Sequence, residues 1–517
     1  MTFQVKQRIK GKTYVYEVES YWDHEKKQSR QRRKYLGTWD ENSQKIIPRD
    51  DAFVIKTTVN YGDVHILRSI ATRLGIEKTL GKLFGEKANL MLTLSFFKIL
   101  EPRSLRMFGT WAEDSFFATA SGMGKEKFTS QYLSRFLEEI ADEEPAMLDF
   151  FRSRIGAADK KSLIYDITSL SSNSKLLPLL EYGYNRNGDA LPQVNLGLVV
   201  SKRSALPVYY KIFPGSINDV STLEGLLKDV ISLGVRSSTF ILDRGFCSEH
   251  NLLCMLNKRQ NFIMAMPLST KTGKELVSRN NKEICNPANA WRYGESVINS
   301  VSESFRIGRK IVHACLFFDE KRKVEERENF FNRLMDIEKV LDGKKVRGDA
   351  ERFVKKTAGN MISCIEWRLE DGLIRVERKP NAISQRINRF GKLILVSRKK
   401  IDRSFALSAY REKDEIEKQY MRLKNDMEAL PMRVRKEKTL RGLLFIFFIS
   451  MIIRSRLLNL LRKGGVLEKR SVEEVMTEAG KLRAVLIGEK WRLTEVTKTQ
   501  REIFEKLGIN TPVQART

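Results

Sequence analysis

The rhythm of hydrophobic and polar positions changes several times along the chain, and each change marks a new kind of element. From Thr13 to about Leu36, YVYEVESYW alternates, pauses at a polar turn around Asp23 to Lys27, and resumes in SRQRRKYLG, which predicts a twisted β-hairpin. From about Gly62 to Leu148 the spacing turns helical, in ILRSIATRLGI, LMLTLSFFKIL and YLSRFLEEIA. From Lys161, short apolar runs suited to strands take over: SLIYDIT, QVNLGLVV and LPVYYKIF. A helix near Ser221 to Leu233, the run TFILD, a helix from about Ser248 to Lys258 and the run FIMAM follow. Three strands and then strand–helix alternation imply a mixed sheet with helices on its faces rather than a simple doubly wound sheet.

Between about Thr270 and Pro380 the alternation gives way to strand-like pieces, ESVINS and SFRIGRKIVHACLFF, and a charged helix, EKRKVEERENFFNRLMDIEKVL. This reads as an insertion. A last strand, GKLILVS, precedes a helical stretch from Tyr410 to Lys424, and a second long helix is expected from about Thr439 to Arg462. The tail is polar, with one more helix in TKTQREIFEKLGI.

Composition sharpens this picture. A chain of 517 residues with 42% hydrophobic content is long enough for a large core and two to four domains. Its 93 Lys and Arg against 64 Asp and Glu leave a net charge of +29, which favours a polyanionic partner, nucleic acid first. Six of the nine residues from Lys26 to Lys34 are basic and stand beside Tyr21, Trp22 and Tyr35, so Arg30, Arg32 and Arg33 are candidate phosphate contacts. A merely solvated hairpin has the same composition.

Five cysteines without CxxC spacing indicate neither a disulfide framework nor a zinc finger, and fit a reducing, cytoplasmic setting. The most apolar run, Gly442 to Ile453, has 12 residues and is expected to be a buried helix rather than a membrane span. The opening MTFQVKQRIKGK has no apolar core of a secretory signal. Gly75 and Gly81-Lys82 miss the phosphate-loop spacing by one residue, and Leu83 stands where that loop needs Ser or Thr.

Candidate chemistry lies in three acids. Asp166 ends the apolar run Leu163-Ile164-Tyr165, and Asp243 ends Phe240-Ile241-Leu242 before Arg244-Gly245. On a continuous helix, Lys413, Glu417 and Lys424 would fall within about 60° of Tyr410, while Ile416, Tyr420, Leu423 and Met427 form an adjacent packing stripe. Arg411 would point about 100° away from Tyr410, opposite to Lys413. Ligands gather outside strand ends in open α/β sheets, so Asp166, Asp243 and Glu417 form a plausible site for Mg²⁺ or Mn²⁺. Taken singly, a strand-end Asp caps turns and a helix Glu faces solvent. Asp219, before a helix, reads as an N-cap, and Tyr165 and Phe246 as core aromatics.

Taken together, YDITSL around Asp166, LPQVNLGLVV, PGSIND, ILDRGF around Asp243 and the spacing Tyr-x2-Lys-x3-Glu-x6-Lys from Tyr410 to Lys424 resemble the DDE transposases of the IS4 group, most closely its IS1634-like members. The resemblance extends to the N-terminal hairpin and the TKTQREIFEKLGI tail. It departs at Lys413, where that family has Arg, which forks onto phosphate while Lys is a point charge.

The resemblance implies an α/β, ribonuclease-H-like mixed-sheet core interrupted by a β-rich insertion, with an N-terminal β-hairpin and helical DNA-binding regions. The expected division is a basic hairpin region at 1–50, a helical DNA-binding domain at 51–155, core parts at 156–270 and 386–465, the insertion at 271–385 and a helical tail at 466–517. It implies Asp166, Asp243 and Glu417 as catalytic ligands of two Mg²⁺, Mn²⁺ being able to substitute, with Tyr410, Lys413 and Lys424 clamping DNA phosphates. Related members hold a flipped base on an aromatic residue, for which Trp291 is the candidate; a Trp anchoring a small sheet is the plainer reading. The implied partners are terminal inverted repeats and target DNA, bound by a homodimer at the nucleoid, with no membrane. A transposase-derived DNA-binding protein without catalysis and a structure-specific nuclease of the same fold are the alternatives.

Overall fold

A computed structural model describes the chain except for residues 1, 10, 24–25, 42–43, 49–54, 175–176, 184–190, 347, 427–433 and 513–517. The described residues form two compact units. One comprises Gly75–Arg106 and Ser130–Arg456; the other comprises Met1–Leu74, Met107–Thr129 and Leu457–Thr517.

The larger unit is built on a sheet of nine strands: β1 (Ser162–Ser171), β2 (Gln193–Ser201), β3 (Pro207–Pro214), β4 (Thr239–Leu242), β5 (Asn261–Met266), β6 (Ala290–Tyr293), β7 (Ser296–Ile307), β8 (Lys310–Phe318) and β9 (Lys392–Ser397). Their order is β6-β7-β8-β9-β5-β4-β1-β2-β3. β1, β2 and β3 are an antiparallel meander, and β4 and β5 lie parallel to β1. The order β3-β2-β1-β4-β5 is the ribonuclease-H-like mixed sheet expected above. β2 is buried along its whole length, so it reads as a continuous apolar run instead of alternating.

The first three strands of the insertion do not make a sheet of their own beside this one. These strands, β6, β7 and β8, continue the core sheet through β9, whose other neighbour is β5. The rest of the insertion includes the charged helix Glu320–Leu341 and the hairpin Ile365–Glu370 and Leu373–Arg378, so it holds helix as well as strand.

The apolar run at Gly442 lies inside a longer helix, Glu437–Lys463. Length and composition alone would let this helix cross a bilayer, yet 83% of its most apolar stretch is buried within the protein. Phe445 meets Phe84 and Phe150 at ring distances of 5.7 and 5.3 Å, and Phe448 meets Phe151 at 5.3 Å. It is a core helix.

In the smaller unit, the predicted hairpin is the centre of a four-stranded antiparallel meander, Thr2–Ile9, Lys12–Asp23, Gln28–Asp40 and Lys45–Pro48. A second sheet pairs Ile55–Asn60 with Arg483–Ile487, which pairs in turn with Lys490–Leu493. The helix expected in the tail spans Lys498–Lys506 and opens on a reciprocal cap between Thr497 and Gln500. The helices of residues 62–157 are divided between the two units.

Asp63, in the first turn of the helix Gly62–Arg73, is 8% exposed, and burial pushes its carboxyl up to about 6. Because that value lies above the usual 3.8, ionised Asp63 opposes folding above about pH 6, and the opposition vanishes below the usual value. Asp63→Asn keeps an oxygen for the Val64 N–H, which now donates to Asp63 Oδ1 at 2.7 Å. It is expected to gain about 2 kcal/mol at pH 7.5 and nothing at about pH 3.5 in urea titrations. A loss at pH 7.5 would refute this account.

Candidate active site

Two parallel strands place the first two acids. β1 and β4 run in the register Leu163↔Phe240, Ile164↔Ile241, Tyr165↔Leu242, so the next residues, Asp166 and Asp243, stand side by side. Asp243 follows the last residue of β4, whereas Asp166 lies in mid-strand, paired with Leu198, because β1 runs on to Ser171 instead of ending at the acid. Buried side chains precede each acid, and the polar residue comes where β4 ends. Asp243 then caps the turn Arg244–Phe246, its Oδ1 accepting from the Arg244 N–H at 2.7 Å. Buried Asn251 fixes this turn: its Nδ2 donates to the carbonyls of Phe246 and Val220, both at 2.8 Å. Tyr165 and Phe246 are fully buried and in ring contact at 4.9 Å, as core aromatics. Asn218, not Asp219, holds the N-cap position of the helix Asp219–Ser232.

The stretch carrying the third acid departs from the expected single helix. One helix, Arg403–Arg411, opens on Asp402, whose Oδ1 accepts from the Ser404 and Phe405 N–H groups. It ends before Glu412, a second helix runs Asp414–Met421, and a π-helical turn covers Arg422–Asp426. The joint is tightened by bonds from Lys413 N to Tyr410 O and from Ile416 N to Lys413 O, each three residues long. The uniform stripe from Tyr410 to Lys424 is therefore not one helix face. Half-buried Lys424 lies in the π-helical turn, and Met427 lies outside the described residues.

Around the joint, polar side chains converge on Asp243. Tyr410 Oη donates to Asp243 Oδ1 at 2.8 Å. Lys413 Nζ lies 3.1 Å from Asp243 Oδ2 and 3.3 Å from Glu417 Oε1. The packing stripe holds as read: Ile416, Tyr420 and Leu423 are buried. Tyr420 does more than pack. Its hydroxyl donates to the Asp166 carbonyl and accepts from the Leu198 N–H at 3.2 Å, which pins the Glu417 helix to the strand bearing Asp166. Sequence reasoning missed this role, whose only signal was a phenol within an apolar stripe.

Charge balance follows the geometry. Burial pushes the Asp243 carboxyl up, but the Lys413 ammonium, the Tyr410 hydroxyl and the Arg244 N–H outweigh it and leave it below its usual 3.8. Burial pulls Lys413 down, yet the carboxylates of Asp243, Asp166 and Glu417 raise it above its usual 10.5. Burial and then Asp243 hold the Tyr410 phenol far above its ordinary value, so it donates at neutral pH.

Trp291 sits on β6, where the Arg403 guanidinium covers its ring at 5.1 Å; Arg411 covers Tyr293 at 4.7 Å and reaches Asp319 Oδ2 at 3.6 Å. The strand thus braces the Tyr410 helix, which ends at Arg411. In the smaller unit, Arg30 and Arg32 share one face of their strand, opposite Tyr21 and Glu19, while Arg33 lies on the other face opposite Val18. Arg30 pairs with Asp23 at 3.5 Å.

Asp166, Asp243 and Glu417 supply hard oxygen donors suited to a divalent ion, and a cation, the Lys413 ammonium, already stands between two of them. Among the described residues, no three His, Cys, Asp or Glu side chains are grouped closely enough to hold an ion together.

Residues 159–453 match the family described as "Transposase DDE domain". The chain is also similar to a piggyBac transposase solved by cryo-EM in a synaptic complex with hairpin DNA, with a TM-score of 0.38 and 11% identity over 81% of this chain and 76% of that one. No curated protein matches the sequence.

Proposed function

Since the chain belongs to the transposase DDE domain family and is a DDE transposase, we propose that it cleaves phosphodiester bonds at the ends of an insertion sequence and joins the freed 3′-OH ends to target DNA. The observation that carries this reading is the meeting of Asp166, Asp243, Tyr410, Lys413 and Glu417 on two neighbouring central strands of a ribonuclease-H-like sheet and the helical segments packed on them. The resemblance of its motifs around Asp166, Asp243 and Glu417 to the IS4 group, and most closely to its IS1634-like members, supports reading it as one of that group.

Asp166, Asp243 and Glu417 would hold two Mg²⁺, for which Mn²⁺ could substitute. When bound, these ions supply Lewis-acid activation of the attacking water or 3′-OH and stabilisation of the leaving oxygen. The chain's own residues position the reactants. Tyr410 orients Asp243 by donating to its Oδ1. Lys413, Tyr410 and Lys424 clamp backbone phosphates, and exposed Arg244 and Arg322, near enough to Tyr410 to act on its charge, add positive potential at the rim. No covalent protein intermediate is needed, so no nucleophilic Ser or Cys is assigned. Arg30, Arg32 and Arg33 contact DNA outside the site, from both faces of their sheet. Trp291 remains the aromatic proposed to hold a flipped base; its Arg403 cap would have to open. Two ends are joined in concert by a homodimer acting on chromosomal DNA in the cytoplasm.

The test is to incubate the full chain with Mg²⁺ and a duplex bearing the inverted repeats that flank its gene, then to map the products. Nicks exposing 3′-OH ends, followed by joined products, are expected. Nicking without joining would favour a structure-specific nuclease, and binding without nicking a transposase-derived binding protein.

A further inference from the structure

We propose that Lys413 is a built-in counter-ion of Asp243 and Glu417 that competes with a divalent ion for the same carboxylates, so that metal entry and release of the Lys413 ammonium toward DNA are one event. The inference rests on the reading of Asp166, Asp243 and Glu417 as metal ligands.

The ammonium bridges Asp243 Oδ2 and Glu417 Oε1 at 3.1 and 3.3 Å, and its side chain is 10% exposed. The charge of Asp166 acts on the same ammonium. Asp243 and Glu417 thus share one internal cation. Asp243 Oδ1, by contrast, is held by the Tyr410 hydroxyl and the Arg244 N–H, so the carboxylate keeps its orientation if the lysine leaves. A divalent ion binds carboxylate oxygens at about 2.0–2.6 Å, which would bring its two charges within a few ångströms of Nζ. Like charges at that distance repel more strongly in a partly buried site than in water, which favours departure of the ammonium. The lysine has a way out, because the Glu417 side chain on its flank is 56% exposed and the stem rotates about several bonds.

The departure from the family's Arg gains a physical sense here. A compact ammonium fits between two carboxylates as a removable point charge, whereas a planar guanidinium would fork onto one of them. Once displaced, the same group is free for a backbone phosphate, so metal and DNA would bind cooperatively.

Binding of Mn²⁺ without DNA, followed by the spin-resonance signal of the free ion, tests the proposal on the full-length protein. Lys413→Met is expected to bind Mn²⁺ about tenfold more tightly than wild type, and Lys413→Arg to stay within about threefold of it. If Lys413→Met does not fold, Lys413→Gln makes the same comparison. Equal or weaker binding by the neutral variant, with Asp243→Asn still abolishing it, would overturn the counter-ion role and leave the metal reading standing. Binding unchanged by Asp243→Asn in both backgrounds would remove the metal reading itself, and the inference with it.

Discussion

Asp243→Asn is expected to reduce nicking of transposon ends by at least about 10³-fold while leaving end binding within a few-fold, as judged by product gels beside mobility shifts. The carboxylate accepts from Tyr410 and the Arg244 N–H on one oxygen and faces Lys413 on the other. An amide of the same shape cannot satisfy both sides, because its NH₂ would face either a donor or an ammonium. It also removes a charge that the proposed metal needs. Binding survives because affinity for DNA comes mostly from phosphate contacts spread over the surface of a chain with a net charge of +29. Asp166→Asn and Glu417→Gln should behave alike, since each removes one member of the same set. Undiminished nicking by all three would sink the assignment.

Gly442→Ala is expected to destabilise the larger unit by about 3 kcal/mol or more, read as a lower urea midpoint. A Cβ at this position would lie 2.0 Å from the Leu137 carbonyl oxygen and 2.7 Å from its carbon. The helices Glu437–Lys463 and Ser130–Asp142 therefore touch backbone to backbone. Neither atom belongs to a side chain that can swing aside. Helix propensity pulls the other way by about 1 kcal/mol, since Ala is preferred to Gly in a helix interior. The clash decides the sign. Gly81, inside Ile76–Phe84, is the control: nothing lies within 4 Å of its would-be Cβ, so Gly81→Ala should be neutral or mildly stabilising. Equal responses at the two positions would show that the close approach is absent.

The strands that carry Asp166 and Asp243 were legible in the sequence because a sheet buried on both faces leaves apolar runs, Leu163 to Tyr165 and Phe240 to Leu242, each followed by an acid; that β1 continues past Asp166 to Ser171 was not. The resemblance supplied the link from those acids to Glu417, 174 positions beyond Asp243. The break at Glu412 and Lys413 was not legible. No Gly or Pro marks it, and every residue from Tyr410 to Gln419 is compatible with helix, so tertiary contacts of Tyr410 and Lys413 with Asp243 override propensity. The strand Arg483–Ile487 escaped notice for a related reason: its partner on one side, Ile55–Asn60, lies more than 400 positions away, and no window of sequence holds both. The faces of the basic strand could have been read from period two, which separates Arg33 from Arg30 and Arg32.

The core sheet has a further consequence at the place where the chain leaves β8 and returns as β9. Phe318 and Lys392 are direct cross-strand partners, and just outside them the Asp319 N–H donates to the Gly391 carbonyl at 2.9 Å. Everything from 319 to 391 is thus, topologically, the loop of one very large hairpin. That loop carries its own apolar nucleus, in which Phe330, Leu334, Leu341, Val354, Met361 and Ile374 pack together. A loop that is folded and closed at its neck transmits none of its length to the strands it joins. Residues could be added or removed along it without shifting the register of β9, and so without moving the Glu417 carboxylate from its partners.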